Sequence, residues 1–250
     1  MDAIDDERHL TLPATFNFRD VGGYLGHDGR TVRRGRLYRS DSLHRLDEQD
    51  RDAFAAIGIR TVVDLRRPSE VERDGRVPAY QGLTYRHIHP EHEDWALTPH
   101  EKGTDLARYL ADRYADLAQT GTAGLGEAIG LIADSANAPV VVHCVAGKDR
   151  TGIVCALTLA VLGVDDADIT ADYALSSEAS ARFSAWLAAT MPDGAEVPAP
   201  FLASPAEAMQ IFLDELREGH GSIEAYLRHA GVTDVQLAAL RDHLLDGGQD

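Results

Sequence analysis

Two kinds of apolar pattern alternate along the chain. Short β-branched runs, Ile59 to Leu65 and Pro139-Val140-Val141-Val142-His143, are apolar at nearly every position and read as strands buried on both faces. Leu83 to His89 reads as a further strand, and Arg36-Leu37-Tyr38-Arg39 ends an earlier region of short strands punctuated by Gly22-Gly23 and by His27 to Arg30. Between these runs the apolar residues recur at helical spacing. Asp47 caps a predicted helix through Ile57 that Gly58 closes. Others run from Asp105 to Leu117, from about Leu125 to Ile132, and from about Thr151 to Leu162, where Gly163 stops the last. This alternation predicts an α/β fold with a central, mostly parallel sheet flanked by helices.

From Asp165 onward the pattern is wholly helical. Helices over about 177–189 and 205–217 flank a Pro/Gly-containing stretch, Met191 to Pro205, and they either cap a site or pack as an ordinary layer. No internal repeat or low-complexity linker divides the chain, so residues 1–250 are expected to form one domain with a helical appendage.

Hydrophobic residues at 44% and charged residues at 26% place the chain among folded globular proteins rather than disordered ones. Met1 to His9 is acidic and lacks the basic head and apolar run of a signal peptide, and no stretch approaches the ~20 apolar residues of a membrane span, which points to the cytoplasm. A formal charge of −17 repels nucleic acid and disfavours stable docking on an anionic membrane. The only lysines are Lys102 and Lys148. Cys144 and Cys155 flank a predicted helix that would hold them roughly 16 Å apart at ~1.5 Å per residue, so both are expected as free thiols.

The chemistry concentrates in His143-Cys144-Val145-Ala146-Gly147-Lys148-Asp149-Arg150-Thr151-Gly152, between the clearest strand and a clear helix. A strand-to-helix loop aims backbone N–H groups at one point and so makes an anion site suited to phosphate. Gly147 permits the tight turn, and Val145, Ala146, Gly147, Lys148 and Thr151 are the expected substrate-binding positions. Arg150 closes the cradle with a planar fork that matches two phosphate oxygens. The amides, the helix dipole and Arg150 all favour the thiolate of Cys144, so a nucleophile and an anion site coincide. In-line attack on phosphorus would give a phosphocysteine that water hydrolyses, with no metal or cofactor required. Asp149 is the nearest donor of a proton to the leaving group. Asp64, at the end of its strand, is the second candidate.

The ten-residue loop matches the Cys-x5-Arg-Thr/Ser signature of the protein tyrosine phosphatase superfamily. With Asn17-Phe18-Arg19-Asp20-Val21-Gly22-Gly23, Leu37-Tyr38-Arg39-Ser40, Asp64-Leu65-Arg66 and Tyr226-Leu227-Arg228, the chain resembles the bacterial tyrosine/serine and phosphoinositide phosphatases of dual or triple specificity over nearly its whole length. The resemblance implies that Cys144 carries the phosphoryl group, Arg150 binds it, Lys148 supports anionic substrates and Asp149 is the general acid. It also implies a helical lid near 176–206. The Trp-Pro-Asp loop of the eukaryotic enzymes is missing, and Asp94-Trp95 is similar to it only superficially.

Other candidates have plainer readings. Cys155 reads as a buried hydrophobe and His143 as a residue that orients the loop. Asp64 pairs with Arg66 or Arg39 if it is not catalytic. His87, His89, His92 and His100 lack a fixed metal-ligand pattern and read as surface histidines. Gly121, Gly124 and Gly126 have the wrong spacing for a dinucleotide site and follow a helix. Arg19 and Asp20 read as a structural polar link, with a substrate contact by Arg19 as the alternative.

The leading function is phosphomonoester hydrolysis on phosphotyrosine, phosphoserine/threonine or phosphoinositide substrates, with a phosphorylated protein or small phosphoester as partner. An inactive phosphate-binding module is the alternative, although binding alone would need no thiolate. A redox or sulfur-transfer use of the thiol fits less well, because no resolving cysteine lies nearby.

Overall fold

The structure of the protein, a computed structural model, describes residues 8–10, 12–101, 103–190 and 202–247. Its centre is a five-stranded sheet of β1 (Arg19–Asp20), β2 (Leu37–Ser40), β3 (Thr61–Asp64), β4 (Thr84–His87) and β5 (Val140–His143). The strand order is β1-β2-β5-β3-β4. β1 runs antiparallel to β2, and every other pairing is parallel. The register puts Ser40, His143, Asp64 and His87 level at the carboxyl ends of their strands.

The apolar runs divide by period two, as strands buried on both faces must. Leu37, Val63, Val140 and Val142 enter the larger core, while Tyr38, Val62 and Val141 enter a smaller one with Phe18, Leu43 and Phe54. The small core is covered by α1 (Glu48–Ala56), whose Asp47 Oδ1 accepts from the Asp50 amide as the sequence predicted. Strand β4 is shorter than expected and half-exposed, because it closes one edge of the sheet.

The larger core gathers α3 (Leu106–Thr120), α4 (Thr122–Ala133) and α5 (Asp149–Val161). Leu110, Tyr114, Leu117 and Ala118 form the buried stripe of α3, at the i, i+4, i+7, i+8 spacing that a helix needs to face a core. Buried residues surround α5 on all sides, which makes it the central helix of this layer. It begins two residues earlier than the apolar pattern suggested, so Asp149 and Arg150 stand in its first turn.

The C-terminal helices α6 (Asp166–Ala174), α7 (Ser176–Thr190), α8 (Ala206–His220), α9 (Ile223–His229) and α10 (Asp234–Leu244) complete the described chain. Of the predicted break at Met191 to Pro205, and of the expected lid, residues 191–201 lie outside the described residues. The glycines of α4 answer to packing. A Cβ on Gly124 would stand 2.8 Å from Pro90, and one on Gly126 would stand 1.9 Å from the Ala230 carbonyl. Among the described residues no helix is long and apolar enough to cross a membrane.

Candidate active site

Strand β5 delivers the chain to Cys144, which is 2% exposed, and α5 takes it up again at Asp149. From His143 to Gly147, five consecutive carbonyls are engaged by neighbouring groups. Those of His143, Val145, Ala146 and Gly147 accept from the Leu65 amide (2.8 Å), the Ser42 amide (3.0 Å), Asn17 Nδ2 (2.9 Å) and an Arg39 guanidinium nitrogen (2.7 Å). The Cys144 carbonyl lies 3.1 Å from His143 Nδ1, which as an N–H donates to it. With the carbonyls occupied in this way, the amides are the groups left to face the hollow of the loop, as an anion cradle requires. Gly147 makes the turn possible: its φ is +66°, and a Cβ there would sit 2.4 Å from the Ser40 carbonyl oxygen.

Arg150 is held in place by Glu70, a residue of α2 (Pro68–Asp74). The contact has two teeth, 2.6 and 3.2 Å, and the Leu65 carbonyl accepts a third bond at 3.2 Å. Burial alone would lower the pKa of Arg150. The charges of Cys144 and Glu70 and the Glu70 hydrogen bond outweigh it and hold the pKa above its ordinary value. For Glu70 the balance also favours the ion: burial pushes the carboxyl up, but hydrogen bonding to Arg150 and its charge bring it below the usual range.

Asp149 accepts from Tyr114 Oη at 2.6 Å and lies 3.5 Å from Lys148 Nζ. Because the Tyr114 proton goes to Asp149, the Tyr173 hydroxyl, 2.5 Å away, donates to Tyr114. Lys148 is 1% exposed, and its ammonium donates to the Ala203 carbonyl at 3.0 Å. It ties the loop to the segment before α8. Thr151 is fully buried, and its hydroxyl has no partner among the described residues.

A cavity of about 230 Å3 opens over the loop, lined by Cys144, Val145, Ala146, Asp149 and Arg150 of the loop and α5 and by Arg67, Glu70, His92, Asp94 and Trp95 from other segments. One sequence expectation changes here, that of His92, and two other candidates find their places. Asp94-Trp95, only superficially similar to an acid-bearing loop, lines the same cavity as the cysteine. His92 is half-buried against Trp95 (5.3 Å between ring centroids) rather than a surface residue, and burial lowers its pKa. Asp64 reaches the right edge of the sheet but is 0% exposed and fully engaged: Arg66 contacts both its oxygens, and Tyr85 Oη donates at 2.8 Å. Burial pushes the Asp64 carboxyl up, whereas the charge His143 would carry and the Arg66 fork pull it well below the usual range. Burial also pushes His143 below its ordinary value, so near neutral pH Arg66 is what holds Asp64 ionised. A carboxylate so held and so covered is a poor proton donor to a leaving group.

The motif residues outside the loop serve it from behind. Arg19 pairs with Asp172 of α6 rather than with its neighbour Asp20, and Asp20 accepts from the Gly22 and Gly35 amides. Asp172 also holds Arg39, 2.5 Å away, whose other nitrogen reaches Gly147. Sequence reasoning missed Glu70, Tyr114 and Asp172. Glu70 alone carried a local signal, since a Glu three residues past a helix start reads as a cap, and it does accept from the Arg67 amide at 2.6 Å.

A larger cavity of about 350 Å3, bordered by α3, α8 and α9, contains none of the loop residues.

Comparison with known proteins agrees with the geometry. A family model described as the tyrosine phosphatase family matches residues 10–246. The triple specificity protein phosphatase PtpB of Mycobacterium tuberculosis is 33% identical, with 94% of this chain and 98% of that protein aligned. A Cupriavidus necator protein assigned to the tyrosine-protein phosphatases is 30% identical over 98% of this chain and 91% of its own length. A tyrosine-protein phosphatase of Nostoc commune is 28% identical over 84% and 74%. Strand, cradle, arginine and whole-length match together place the chain in the tyrosine phosphatase family, as a phosphatase.

Proposed function

We propose that the chain hydrolyses phosphomonoesters with Cys144 as nucleophile and Arg150 as the principal phosphate-binding side chain. The observation that carries this reading is the ring of outward-engaged carbonyls from 143 to 147, beside an arginine oriented by Glu70. The Cys144 thiolate attacks phosphorus in line, the loop amides and Arg150 take up charge on the equatorial oxygens, and the P–O bond to the leaving group breaks. Asp149 lines the same cavity and is the donor to the departing oxygen, positioned by Tyr114. Water then cleaves the P–S bond and returns the thiolate, with Asp149 taking the water proton. Thr151 and the backbone of Val145, Ala146 and Gly147 bind substrate, while Lys148 fixes the loop through Ala203.

Phosphotyrosine, phosphoserine/threonine and phosphoinositide groups remain the substrate classes, with phosphoprotein favoured over lipid because the chain carries −17. Helix α7 belongs to the described part of the proposed lid. Its Arg182 donates to the Phe16 carbonyl at 2.6 Å, and Ser176 accepts from Asn17 at 3.3 Å, both beside the loop. The test is phosphate release by wild type and Cys144→Ser on p-nitrophenyl phosphate, phosphotyrosine, phosphoserine and phosphoinositide, with chelator present. Turnover lost in the variant while phosphate binding persists supports the reading; turnover that survives Cys144→Ser refutes it.

A further inference from the structure

A buried cation that does not line the cavity lies against the catalytic loop. Arg39 stands level with Val142, two residues before Cys144, in the pairing of β2 with β5, and it shares the face of β2 that Leu37 turns to the larger core. Its side chain is 1% exposed. Nη2 donates to the Gly147 carbonyl at 2.7 Å and would stand 3.5 Å from a Cβ on Gly152, so it sits under the first turns of α5. Nη1 donates to Asp172 Oδ2 at 2.5 Å, and Nε is buried without a partner among the described residues.

Asp172 is one carboxylate shared by more than one cation. Arg19, 0% exposed, brings Nε to 3.0 Å from it and donates from Nη2 to its backbone carbonyl at 2.6 Å, and Arg8 approaches at 3.4 Å. The carboxylate next in line, Asp20, accepts from the Gly22 and Gly35 amides instead. Arg19 and Arg39 together therefore leave one positive charge over, among side chains that water does not reach. Burial alone would lower the pKa of Arg39, but the charge of Asp172 above all holds it over its ordinary value, so the side chain stays a cation. The other guanidinium groups near Cys144 are matched, Arg150 by Glu70 and Arg66 by Asp64. Lys148 lies 3.5 Å from Asp149, and that balance changes as Asp149 gains and gives up its proton in turnover. The surplus on Arg39 is fixed. An unbalanced buried charge is unfavourable, and an anion in the cradle relieves it.

We propose that Arg39 is a positioning residue of the phosphatase site, acting on the cradle from behind the loop. Its bond to the Gly147 carbonyl turns the Lys148 N–H of the same peptide toward the hollow, and its surplus charge favours the anions of the reaction there, the thiolate and the phosphoryl group. The proposal rests on the phosphatase reading of the site and deepens it, because Arg150 binds phosphate inside the cavity whereas Arg39 acts through the loop.

The experiment uses the full chain and two alkylating reagents that differ in charge, iodoacetate and iodoacetamide. Both need the Cys144 thiolate, so the ratio of their rates cancels its population and reads the field in the cradle once the background in Cys144→Ser is subtracted. Arg39→Gln leaves Asp172 balanced by Arg19 and keeps a donor for Gly147. It should lower the iodoacetate to iodoacetamide ratio about fivefold, on the order of one unit charge acting through a partly screened interior, and raise the KI of inorganic phosphate against p-nitrophenyl phosphate by about tenfold. Arg39→Lys keeps the charge without the fork and should hold the ratio within about twofold of wild type, although kcat/KM falls. Asp172→Asn enlarges the surplus and should raise the ratio. A merely structural role would slow both reagents in every variant and leave the ratio in place. A ratio unchanged in Arg39→Gln, or moved the same way in Arg39→Gln and Asp172→Asn, overturns the proposal. If Asp172→Asn fails to fold, the two Arg39 variants decide, and an equal fall of the ratio in both overturns it. Cys144-dependent turnover of p-nitrophenyl phosphate with an unmoved ratio removes only this inference, whereas absent turnover removes the phosphatase reading and this one with it.

Discussion

Glu70→Gln tests whether Arg150 is a phosphate-binding group because of its own position or because of the carboxylate that holds it. The two side chains are 9% and 10% exposed and share contacts of 2.6 and 3.2 Å. Glutamine keeps one acceptor, enough for the Arg67 amide, but removes the charge and turns an NH2 group toward the guanidinium. A hydrogen bond to a charged group contributes ~1.5–3 kcal/mol, and stripping one partner from a buried ion pair costs about 3–5 kcal/mol. Some relaxation around the mouth leaves an expected loss of about 2–4 kcal/mol, a fall in thermal midpoint of roughly 5–15 °C at this chain length. In catalysis the misaligned fork should lower kcat/KM on p-nitrophenyl phosphate by about 10- to 100-fold, or ~1.4–2.8 kcal/mol of transition-state stabilisation. Inorganic phosphate should also raise the midpoint of the variant more than that of wild type, because the anion supplies the charge that Glu70 lost. A variant with wild-type kcat/KM but a lowered midpoint would refute the reasoning, since Glu70 would then serve only the start of α2.

Three further outcomes follow from contacts around the loop. Gly147→Ala places a Cβ 2.4 Å from the Ser40 carbonyl oxygen at a φ of +66°, so kcat/KM should fall by about 100-fold or more, read against a folded far-ultraviolet spectrum. Tyr114→Phe removes the 2.6 Å bond to Asp149 and should lower kcat roughly 3- to 10-fold on alkyl phosphates, with less effect on p-nitrophenyl phosphate, whose leaving group needs no proton. Acid unfolding should follow Asp172. Burial pushes its carboxyl up, but the charges of Arg19 and Arg39 hold it well below the usual carboxylate range. Because its folded pKa is the lower one, its stabilisation is complete above about pH 4 and is lost as pH falls through the folded value. Asp172→Asn should therefore flatten the acid limb of a stability-pH curve while lowering stability near neutrality.

The sequence by itself determined the parts of this protein that are contiguous in it. The β-branched run before Cys144 and the apolar helix after it specify a strand, a turn and a helix, and a phosphate cradle is built from that one junction, so ten residues suffice to read it. The α/β alternation was legible for the same reason, since period and propensity are local properties. Partner choice among charged groups was not. With 41 acidic residues in the chain, nothing adjacent in sequence says that Glu70 rather than Asp64 meets Arg150, or that Arg19 turns from Asp20 to an aspartate at position 172. Asp64 stands at the correct strand end, yet the approach of Arg66 and Tyr85 makes it a buried ion instead of an acid. Asp94 and His92, which read as features of a surface loop, enter the cavity wall because their segment is anchored against α4 at Pro90. A charge interacts through space over several ångströms and is weighted by burial, so its role is decided only when packing has chosen its neighbours and removed the water.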